Sequence, residues 1–527
     1  MAYSRPGVYV TEGPFTTTVP VGPQLTPTAF LGTVARGPLG PTRVDSWTQY
    51  KTLFGDLTNS SDLGYAVYHF FANGGRTAYV VRVVDDSAVK AKSENITGTI
   101  AGGSSTTLFN VQAKSVGTWA NYVAATSTTL KKGVQVVVTA GLRNGIPESL
   151  SGGTGTPRTF NLAVYFNDAA SPVETWSEVS LDPDSPQYAP TIINAYSNYI
   201  DVTDVAAGLT AGVAYTIDAD TYDMGTGTGS VAGTDGTVAD ADWATAVDAL
   251  DAVTGALLIN LVGQTTAVRV NDALAYAEAR GNGFVIIDPS PAQVNTAGIT
   301  GLVDTYSKSS YGAVYYPMVK MPDPARSGTA TLRDTFPGGA VAGLYARVEQ
   351  ERTAAKAPAG YAYDVRNAFA LTTSFTDSQV GLLYDAHVNT MKAVPGGGII
   401  VNGARTLKKT DITKYVPVRR SLNFVKANVE AIAQSAVFEP NGERTWTNLT
   451  TRLGRFLSDF WAAGGLKGRN ATESYYIVCD ASNNTPYTIE NGELHVEVGV
   501  ALQSPAEFIV INVSQFAGGT TTTVETV

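Results

Sequence analysis

Charged residues, cysteine and histidine are all scarce in this chain. Of its 527 residues, 16% are charged, one is cysteine and three are histidine. A single cysteine, Cys479, excludes any disulfide within the chain, and its apolar neighbours favour a small buried filler over a reactive thiol. The net charge of −10 argues against a nucleic-acid-binding protein, which would carry a basic patch.

Targeting and membrane signals are missing as well. No apolar run approaches the roughly 18 residues of a membrane span, and residues 1–7 (MAYSRPG) contain no apolar core of a signal peptide. We therefore expect a protein that is made and assembled in a cytoplasm, without membrane insertion.

The groups needed for catalysis are sparse. His69, His387 and His495 show no metal-ligand spacing, and neither a Walker A motif nor a G-x-S-x-G elbow occurs. The glycines of 225–233 lack the flanking strand and helix of a dinucleotide site, so we interpret them as a linker. Asp288 stands at the end of a predicted parallel strand, where a capping role is favoured over a ligand site. We expect no enzyme, no metal and no cofactor.

What the sequence does contain is apolar material for several cores. Apolar residues make up 44% of the chain, and its length favours three or four domains. Because charge is so sparse, much of the surface is expected to meet other protein.

The apolar patterns change along the chain and predict an α/β and α+β multidomain fold. Residues 1–28 are broken by prolines and form an extended N-terminal arm. Residues 29–95 form the first part of a core, with a strand near 29–34, a helix over 63–72 and a strand over 78–84. Residues 96–240, rich in Thr and Gly, form an inserted all-β domain with strands near 106–111, 134–139 and 160–166.

The second half returns to helices and continuous apolar strands. Residues 241–365 alternate strands, near 256–262 and 284–289, with helices, which is typical of a parallel sheet buried on both faces. Residues 366–505 form an α+β domain. Its apolar faces predict three helices and a strand over 494–500, and these faces are listed here: Val380, Leu383, Tyr384, Val388 and Met391; Leu422, Val425, Val429, Ile432 and Ala436; Leu449, Leu453, Phe456, Leu457, Phe460 and Trp461. Residues 506–527 are the C-terminal strand and tail.

A set of ordered motifs resembles contractile-tail sheath proteins along most of the chain. They are RPGVYV at 5–10, FLGTVARGP at 30–38, NGG at 73–75, YVVRV at 79–83, GTWAN at 117–121, PGGAVAG at 337–343, KAPA at 356–359, VNGARTL at 401–407, FEPN at 438–441, GGLKG at 464–468 and PAEFIV at 505–510. Each motif is weak alone, and their common order carries the resemblance. Residues 125–240 carry little of it.

The resemblance implies a structural subunit of a contractile tail sheath or contractile injection system, with a subtilisin-like α/β region at 241–365. Such subunits stack as hexameric rings around a tail tube and contract to drive the tube through the host envelope. The implied partners are further copies of the chain, the tail tube protein, and the baseplate and tail terminator proteins. The implied location is the virion tail, assembled in the host cytoplasm.

The resemblance also implies terminal arms that add strands to neighbouring copies. The strand-exchange residues are Val8, Tyr9, Val10, Phe508, Ile509, Val510, Ile511 and Val513. The last of these strands is apolar on both faces, which is hazardous at an open edge and favours pairing with another copy. The tube-facing candidates are Arg452, Arg455, Lys467 and Arg469, although a solvated helix face explains them equally well.

The sequence also allows alternative roles for three arginines and two other functions for the chain. Arg405, Arg419 and Arg420 fit either subunit contacts or internal ion pairs. An α/β enzyme is one rival function, although no Ser/His/Asp set can be assembled from these residues. A surface adhesin or capsid protein is the other, because the middle of the chain is rich in Thr and Gly.

Overall fold

The computed structural model describes residues 26–505 and 507, apart from 101–102, 127–129, 144–145, 148–158, 212, 214, 293–294 and 327–330. No helix in these ranges is long and apolar enough to cross a lipid bilayer. The predicted arm at 1–28 and segment at 506–527 therefore lie almost wholly outside the described residues.

The first core segment contributes one side of a large sheet. Its elements are β1 (Thr28–Gly32), β2 (Thr42–Val44), α1 (Trp47–Phe54), α2 (Leu63–Ala72) and β3 (Ala78–Arg82). Helix α2 has the bounds that its apolar face predicts, and the turn at Asn73–Gly74 ends it. Gly74 has a φ of 107°, which a residue with a side chain rarely adopts.

Residues 96–223 form a separate set of strands. These are β4 (Ile96–Ile100), β5 (Ser105–Ala113), β6 (Val134–Ala140), β7 (Leu142–Arg143), β8 (Ile146–Pro147), β9 (Thr159–Phe166), β10 (Glu174–Ser180), helix α3 (Ala189–Tyr196), β11 (Ile200–Thr203), β12 (Tyr215–Ile217) and β13 (Thr221–Asp223). Two four-stranded sheets, ordered β10-β9-β6-β13 and β11-β5-β4-β12, share one apolar core.

The expectation that this segment is all-β was wrong in one place, because it contains helix α3. The helix has only eight residues and buries just Ala189 and Ile193. Two buried positions are too few to show a helical period in the sequence, although Pro190 in the first turn is a helix-start signal.

The chain then returns to the large sheet. The elements are α4 (Asp240–Asp248), β14 (Leu257–Leu261), α5 (Ala267–Arg280), β15 (Gly283–Ile287), α6 (Thr296–Asp304), β16 (Gly312–Tyr316), β17 (Val319–Pro322), β18 (Leu332–Thr335), α7 (Gly338–Glu351), β19 (Ala370–Leu371), α8 (Asp377–Asp385), β20 (Val388–Val394) and β21 (Gly398–Asn402).

The large sheet has eight strands in the order β2-β3-β1-β14-β15-β16-β20-β21. The six central strands are parallel, and the edge strands β2 and β21 are antiparallel to their neighbours. Apolar clusters cover both faces, one around helices α2 and α7 and one around α4, α5 and α6. The predicted parallel sheet is thus confirmed, but it continues to Asn402, across the boundary predicted between 365 and 366.

The helix predicted from Val380 to Met391 was wrong in its second half. Helix α8 ends at Asp385, and Val388 and Met391 lie in strand β20. The chain reverses at His387, which has a φ of 62° and therefore lies in a turn and not in a helix. Pairing of β20 with β16 decides this conformation, and that contact is distant in sequence.

The last segment, which we call the C-terminal unit, packs two long helices against a small sheet. Its elements are α9 (Val416–Ala433), α10 (Glu443–Ala462), α11 (Ala471–Ser474), β22 (Tyr475–Val478), α12 (Pro486–Glu490) and β23 (Glu497–Val500). The strand predicted over 494–500 begins only at Glu497. Asn484 exchanges hydrogen bonds of 2.7 and 2.9 Å with the backbone of His495 and holds that residue outside the strand.

Candidate assembly surface

The small sheet of the C-terminal unit has two strands in the described part of the chain. β22 and β23 pair antiparallel, with Tyr475 opposite Val500 and Val478 opposite Glu497. Hydrogen-bonded and non-hydrogen-bonded pairs alternate in such a ladder, so each strand directs part of its N–H and C=O groups away from its partner. The outer side of each strand can therefore accept a further strand.

The inner face of this sheet is only partly covered. Tyr475, Ile477, Val498 and Val500 rest against helices α9 and α10, yet all four stay partly exposed. The buried residues of this cluster are Ala354, Phe424, Val425, Leu457, Phe460 and Leu466. A two-stranded sheet is marginal in water, so a sheet of this size gains stability from additional strands.

The eight predicted strand-exchange residues, which are Val8 to Val10, Phe508 to Ile511 and Val513, lie outside the described residues. Their pairing stays a prediction. Glu507 is the last described residue on the C-terminal side, and it lies on the main body of the same chain.

A bidentate ion pair holds Glu507 to Arg405. Arg405 Nε and Nη2 donate to the two carboxylate oxygens at 3.3 and 3.0 Å, and the two side chains are 14% and 13% exposed. The guanidinium lies over the ring of Tyr384, 3.5 Å from its centroid. Of the two roles considered for Arg405, the structure shows the internal ion pair.

Arg419 and Arg420 at the start of α9 also have internal partners. Arg420 pairs with Glu349 of helix α7 and lies 4.3 Å over the ring of Tyr345. Arg419 lies 4.2 Å over Tyr311, and burial lowers its pKa. The two guanidiniums therefore join the C-terminal unit to helix α7 and to the residue that precedes β16.

The polar face of helix α10 carries two of the tube-facing candidates. Arg452 and Arg455 are exposed, and Arg452 donates to the hydroxyl of Ser435. Arg444 shares this face and was missed in the sequence. Its spacing of 11 residues from Arg455 is three helical turns, which was a usable signal. Lys467 and Arg469 are exposed beyond the helix, where Arg469 N donates to Glu473 at 3.0 Å.

A turn between α9 and α10 presents an aromatic side chain to solvent. Phe438 is fully exposed and has a φ of 66°, which is uncommon for a bulky residue. The turn is braced by Asn441, which accepts from Trp446 Nε1 at 2.8 Å and donates to the carbonyl of Glu493 at 2.8 Å. Phe438 therefore projects from a fixed turn.

Comparison with known proteins identifies this architecture. A family model described as the phage tail sheath C-terminal domain matches residues 408–516, which include α9, α10, β22 and β23. This C-terminal part of the chain matches the phage tail sheath family.

Curated relatives in the sheath family match part of the chain. The tail sheath protein of Enterobacteria phage T4 is 26% identical over 181 residues, which are 34% of this chain and 27% of the T4 protein. The tail sheath protein of Vibrio phage KVP40 is 24% identical over 176 residues, which are 33% of this chain and 25% of that protein. The match thus spans about a quarter of the length of each of these relatives.

Solved sheath structures share the fold over nearly the whole chain. The helical sheath of the anti-feeding prophage in its contracted state is 18% identical with a TM-score of 0.53, covering 98% of this chain and 100% of that one. The contracted sheath complex of the PVC extracellular contractile injection system is 20% identical with a TM-score of 0.53, covering 98% of this chain and 98% of that one. A sheath tail protein from Listeria innocua is 12% identical with a TM-score of 0.59, covering 91% of this chain and 95% of that one.

Tail sheath proteins are structural proteins and not enzymes, and Asp288 has a structural role here. Its carboxylate is buried at the end of β15 and accepts hydrogen bonds from Gly338 N at 2.7 Å, Gly263 N at 3.1 Å and Asn260 Nδ2 at 3.1 Å. It caps the N-terminus of α7, fifty residues onward, and not the next turn. Burial raises its pKa to about 6, against the lowering effect of the three donors.

The three histidines lie on different segments of the fold. Burial lowers the pKa of His69 in α2 to about 4, and His387 binds the carbonyl of Thr406 through Nδ1 at 2.8 Å. His495 pairs with Glu493 at the surface. In the described ranges, no group of three or more His, Cys, Asp or Glu side chains is placed to hold a metal ion. The single cysteine, Cys479, is buried, and burial raises the pKa of its thiol.

Proposed function

We propose that this chain is the sheath subunit of a contractile tail or injection particle. It polymerises as stacked hexameric rings around a tail tube and shortens to drive the tube through a host envelope. Its partners are other copies of itself, the tube protein, and the baseplate and tail terminator proteins. It is located in the tail of the particle.

The observation that carries this proposal is the incomplete sheet of the C-terminal unit. β22 and β23 can each accept another strand, and their apolar inner face is only half covered. Segments 1–28 and 506–527 each contain a β-prone run, around 8–10 and 508–513. Strands donated by neighbouring copies would pair these groups and complete the cover.

Strand exchange gives contraction a physical basis. Donated strands keep neighbouring copies joined while their bodies rotate from a metastable packing to a more stable one. A gain of a few kcal/mol per copy becomes large over hundreds of copies. No nucleotide is needed for such a change.

The exposed arginines of α10 support a contact between this helix and the tube. Arg444, Arg452 and Arg455 share one face, and Lys467 and Arg469 lie beyond the end of the helix. A tube with an acidic outer surface fits these cations. Arg455→Glu should weaken tube capture at low salt and leave sheath polymerisation intact, whereas Lys131→Glu, at an exposed site on the insertion, should change neither.

Electron microscopy of the purified full-length chain tests the main proposal, with long hollow cylinders of stacked rings as the expected result. Deleting 1–22 or 506–527 should abolish polymerisation and leave the circular dichroism spectrum of the body unchanged. Wild-type protein that gives only monomers or closed shells contradicts the proposal. A deletion variant that polymerises normally contradicts the strand exchange.

A further inference from the structure

The described residues that follow β23 make two contacts with the rest of the chain. β23 ends at Val500, and the chain then runs beside Leu466, where Leu502 makes a β-bridge and Gln503 Nε2 donates to the carbonyl of Leu466 at 3.0 Å. Four residues later, Glu507 forms the ion pair with Arg405. The two contacts lie on different parts of the molecule, the C-terminal unit and the large sheet.

Arg405 is held rigidly on its own side of this contact. Asn389, a buried residue of β20, accepts from Arg405 N at 2.7 Å and donates to the Arg405 carbonyl at 2.8 Å. Arg405 Nη1 donates to the carbonyl of Tyr384 at 3.4 Å, and the Tyr384 ring lies under the guanidinium. Strand β20 and the last turn of α8 therefore fix the position of this cation before any carboxylate binds.

The geometry of the pair makes it stronger than a surface ion pair. A planar guanidinium facing a carboxylate with two parallel hydrogen bonds is directional, and such charge-assisted bonds are roughly twice as strong as neutral ones. Exposed pairs such as Arg43–Asp45, with 61% and 46% exposure, contribute little. At 14% and 13% exposure, the Arg405–Glu507 pair is also less screened by salt.

We propose that Arg405 anchors the C-terminal exchange segment to the body of the chain. Its ion pair with Glu507 sets the hinge point, which is the residue after which this segment can move. This inference rests on the proposed function and adds a specific hinge to it. Twenty residues follow Glu507 in the sequence, and they can span at most roughly 65 Å when extended. Because Glu507 is held in place, the segment that follows it can pair with only one neighbouring copy. Force on the segment is then transmitted through Arg405 into the large sheet.

The test is the rate of chymotrypsin cleavage in the unassembled full-length chain, followed by mass spectrometry. Glu507→Gln removes the charge, and Arg405→Lys keeps the charge but removes the bidentate fork. Both substitutions should raise the rate of cleavage after Phe508 by about tenfold, because losing a charge-assisted ion pair changes an opening equilibrium by at least that factor. The rate after Phe516 should not change.

Asp334→Asn is the matched control, because it removes an ion pair with Lys320 that is 41% and 53% exposed and lies outside this path. It should leave both rates unchanged. A uniform rise at every site together with a lower Tm would mean that the pair serves only general stability, which overturns the hinge. Unchanged cleavage after Phe508 in both variants overturns it as well.

Polymerisation separates this inference from the proposed function. If wild type forms cylinders, Glu507→Gln and Arg405→Lys should need several times more protein to polymerise. Equal polymerisation by both variants refutes the hinge and leaves the sheath function standing. If wild type forms no cylinders, the sheath function fails, and cleavage alone decides whether Arg405 fixes residue 507.

Discussion

The eight-stranded sheet and the two-stranded sheet of this chain differ in how completely they are covered. Every residue of β14, β15 and β16 is buried, with helices on both faces. No residue of β22 or β23 is fully buried, although one face of the pair, formed by Tyr475, Ile477, Val498 and Val500, packs against α9 and α10. The sequences differ in the same sense, because β23 alternates its valines with Glu497 and Gly499, whereas β14, β15 and β16 are nearly continuous apolar runs.

The difference lies in the number of strands and layers. A parallel sheet between two helical layers leaves few unpaired groups in its interior, so it is stable within one chain. A two-stranded sheet on one helical layer keeps unpaired edges and half-exposed side chains, which other copies can cover. Substitutions should therefore act within the chain in the first sheet and mainly through assembly in the second.

The largest effect is expected at the centre of the eight-stranded sheet. Phe284 in β15 is 1% exposed and packs against Tyr345 with ring centroids 6.3 Å apart. Phe284→Ala should lower the stability of the unassembled chain by about 3–5 kcal/mol, through lost burial and a residual cavity. The urea midpoint followed by tryptophan fluorescence measures it. Phe369→Ala, at a 68% exposed site, is the control, and a loss below about 1 kcal/mol at Phe284 would contradict the closed core.

A pH dependence of somewhat smaller size is expected from His69 on α2. In the described part of the chain neither of its ring nitrogens has a hydrogen-bond partner, and burial lowers its pKa from 6.5 to about 4. The neutral ring is favoured in the fold, so its contribution is complete above pH 6.5. That contribution declines as the pH falls toward 4, by roughly 3 kcal/mol in all.

His69→Phe should flatten the stability profile between pH 4 and 6.5 in urea titrations. His495→Gln is the control, because His495 is exposed beside Glu493. A profile of equal slope in wild type and His69→Phe would show that other groups control this window.

Asp288 should make stability depend on pH in the opposite direction to His69, and its substitution should cause a loss of stability of intermediate size. Its pKa is raised by burial to about 6, so the stability linked to its protonation is complete below pH 3.8 and is lost as the pH rises through 6. Asp288→Asn keeps one acceptor oxygen and turns an amide N–H toward groups that are themselves donors. The expected loss is about 1–3 kcal/mol at neutral pH. Wild-type stability in this variant would contradict the capping of α7.

These same elements show which features can be predicted from the sequence. The buried parallel strands and helix α2 were predicted because each is a continuous apolar run or a single apolar face. The prediction of one helix over 380–391 was wrong because the helical spacing of apolar residues continues past His387. Beyond that residue the chain forms β20, which pairs with β16. The Arg405–Glu507 pair has no local signal, since its members are 102 residues apart. The strand-exchange role of the two arms stays a prediction, whereas the contact of Glu507 with Arg405 could be found only from the fold.

A smaller effect is expected in the two-stranded sheet. Ile477 in β22 is only partly buried against α10, so Ile477→Ala should cost about 1 kcal/mol or less in the unassembled chain. If donated strands complete the cover, the same variant should raise the protein concentration needed for polymerisation severalfold. Tyr487→Ala, at a 74% exposed site, should change neither quantity. A loss at Ile477 as large as that at Phe284 would remove the contrast between the two sheets.

The smallest effect, a gain in stability, is expected at Phe438 in the turn between α9 and α10. Asp411 and Asn367 also have φ values of 61°, but their short polar side chains tolerate that conformation. Phe438 has a φ of 66° and is fully exposed, so burial does not offset its strain in the unassembled chain. Phe438→Asn should therefore stabilise the chain by about 0.5–1 kcal/mol, measured as a higher urea midpoint.

Val437→Asn is the matched control for this substitution, because Val437 is 54% exposed and has an ordinary φ of −64°. It should give no gain, since there is no strain to relieve. A loss of stability in Phe438→Asn would mean that the aromatic ring already makes contacts within its own chain. The C-terminal unit would then be more self-contained than its exposed strands indicate, and the contrast with the eight-stranded sheet would narrow.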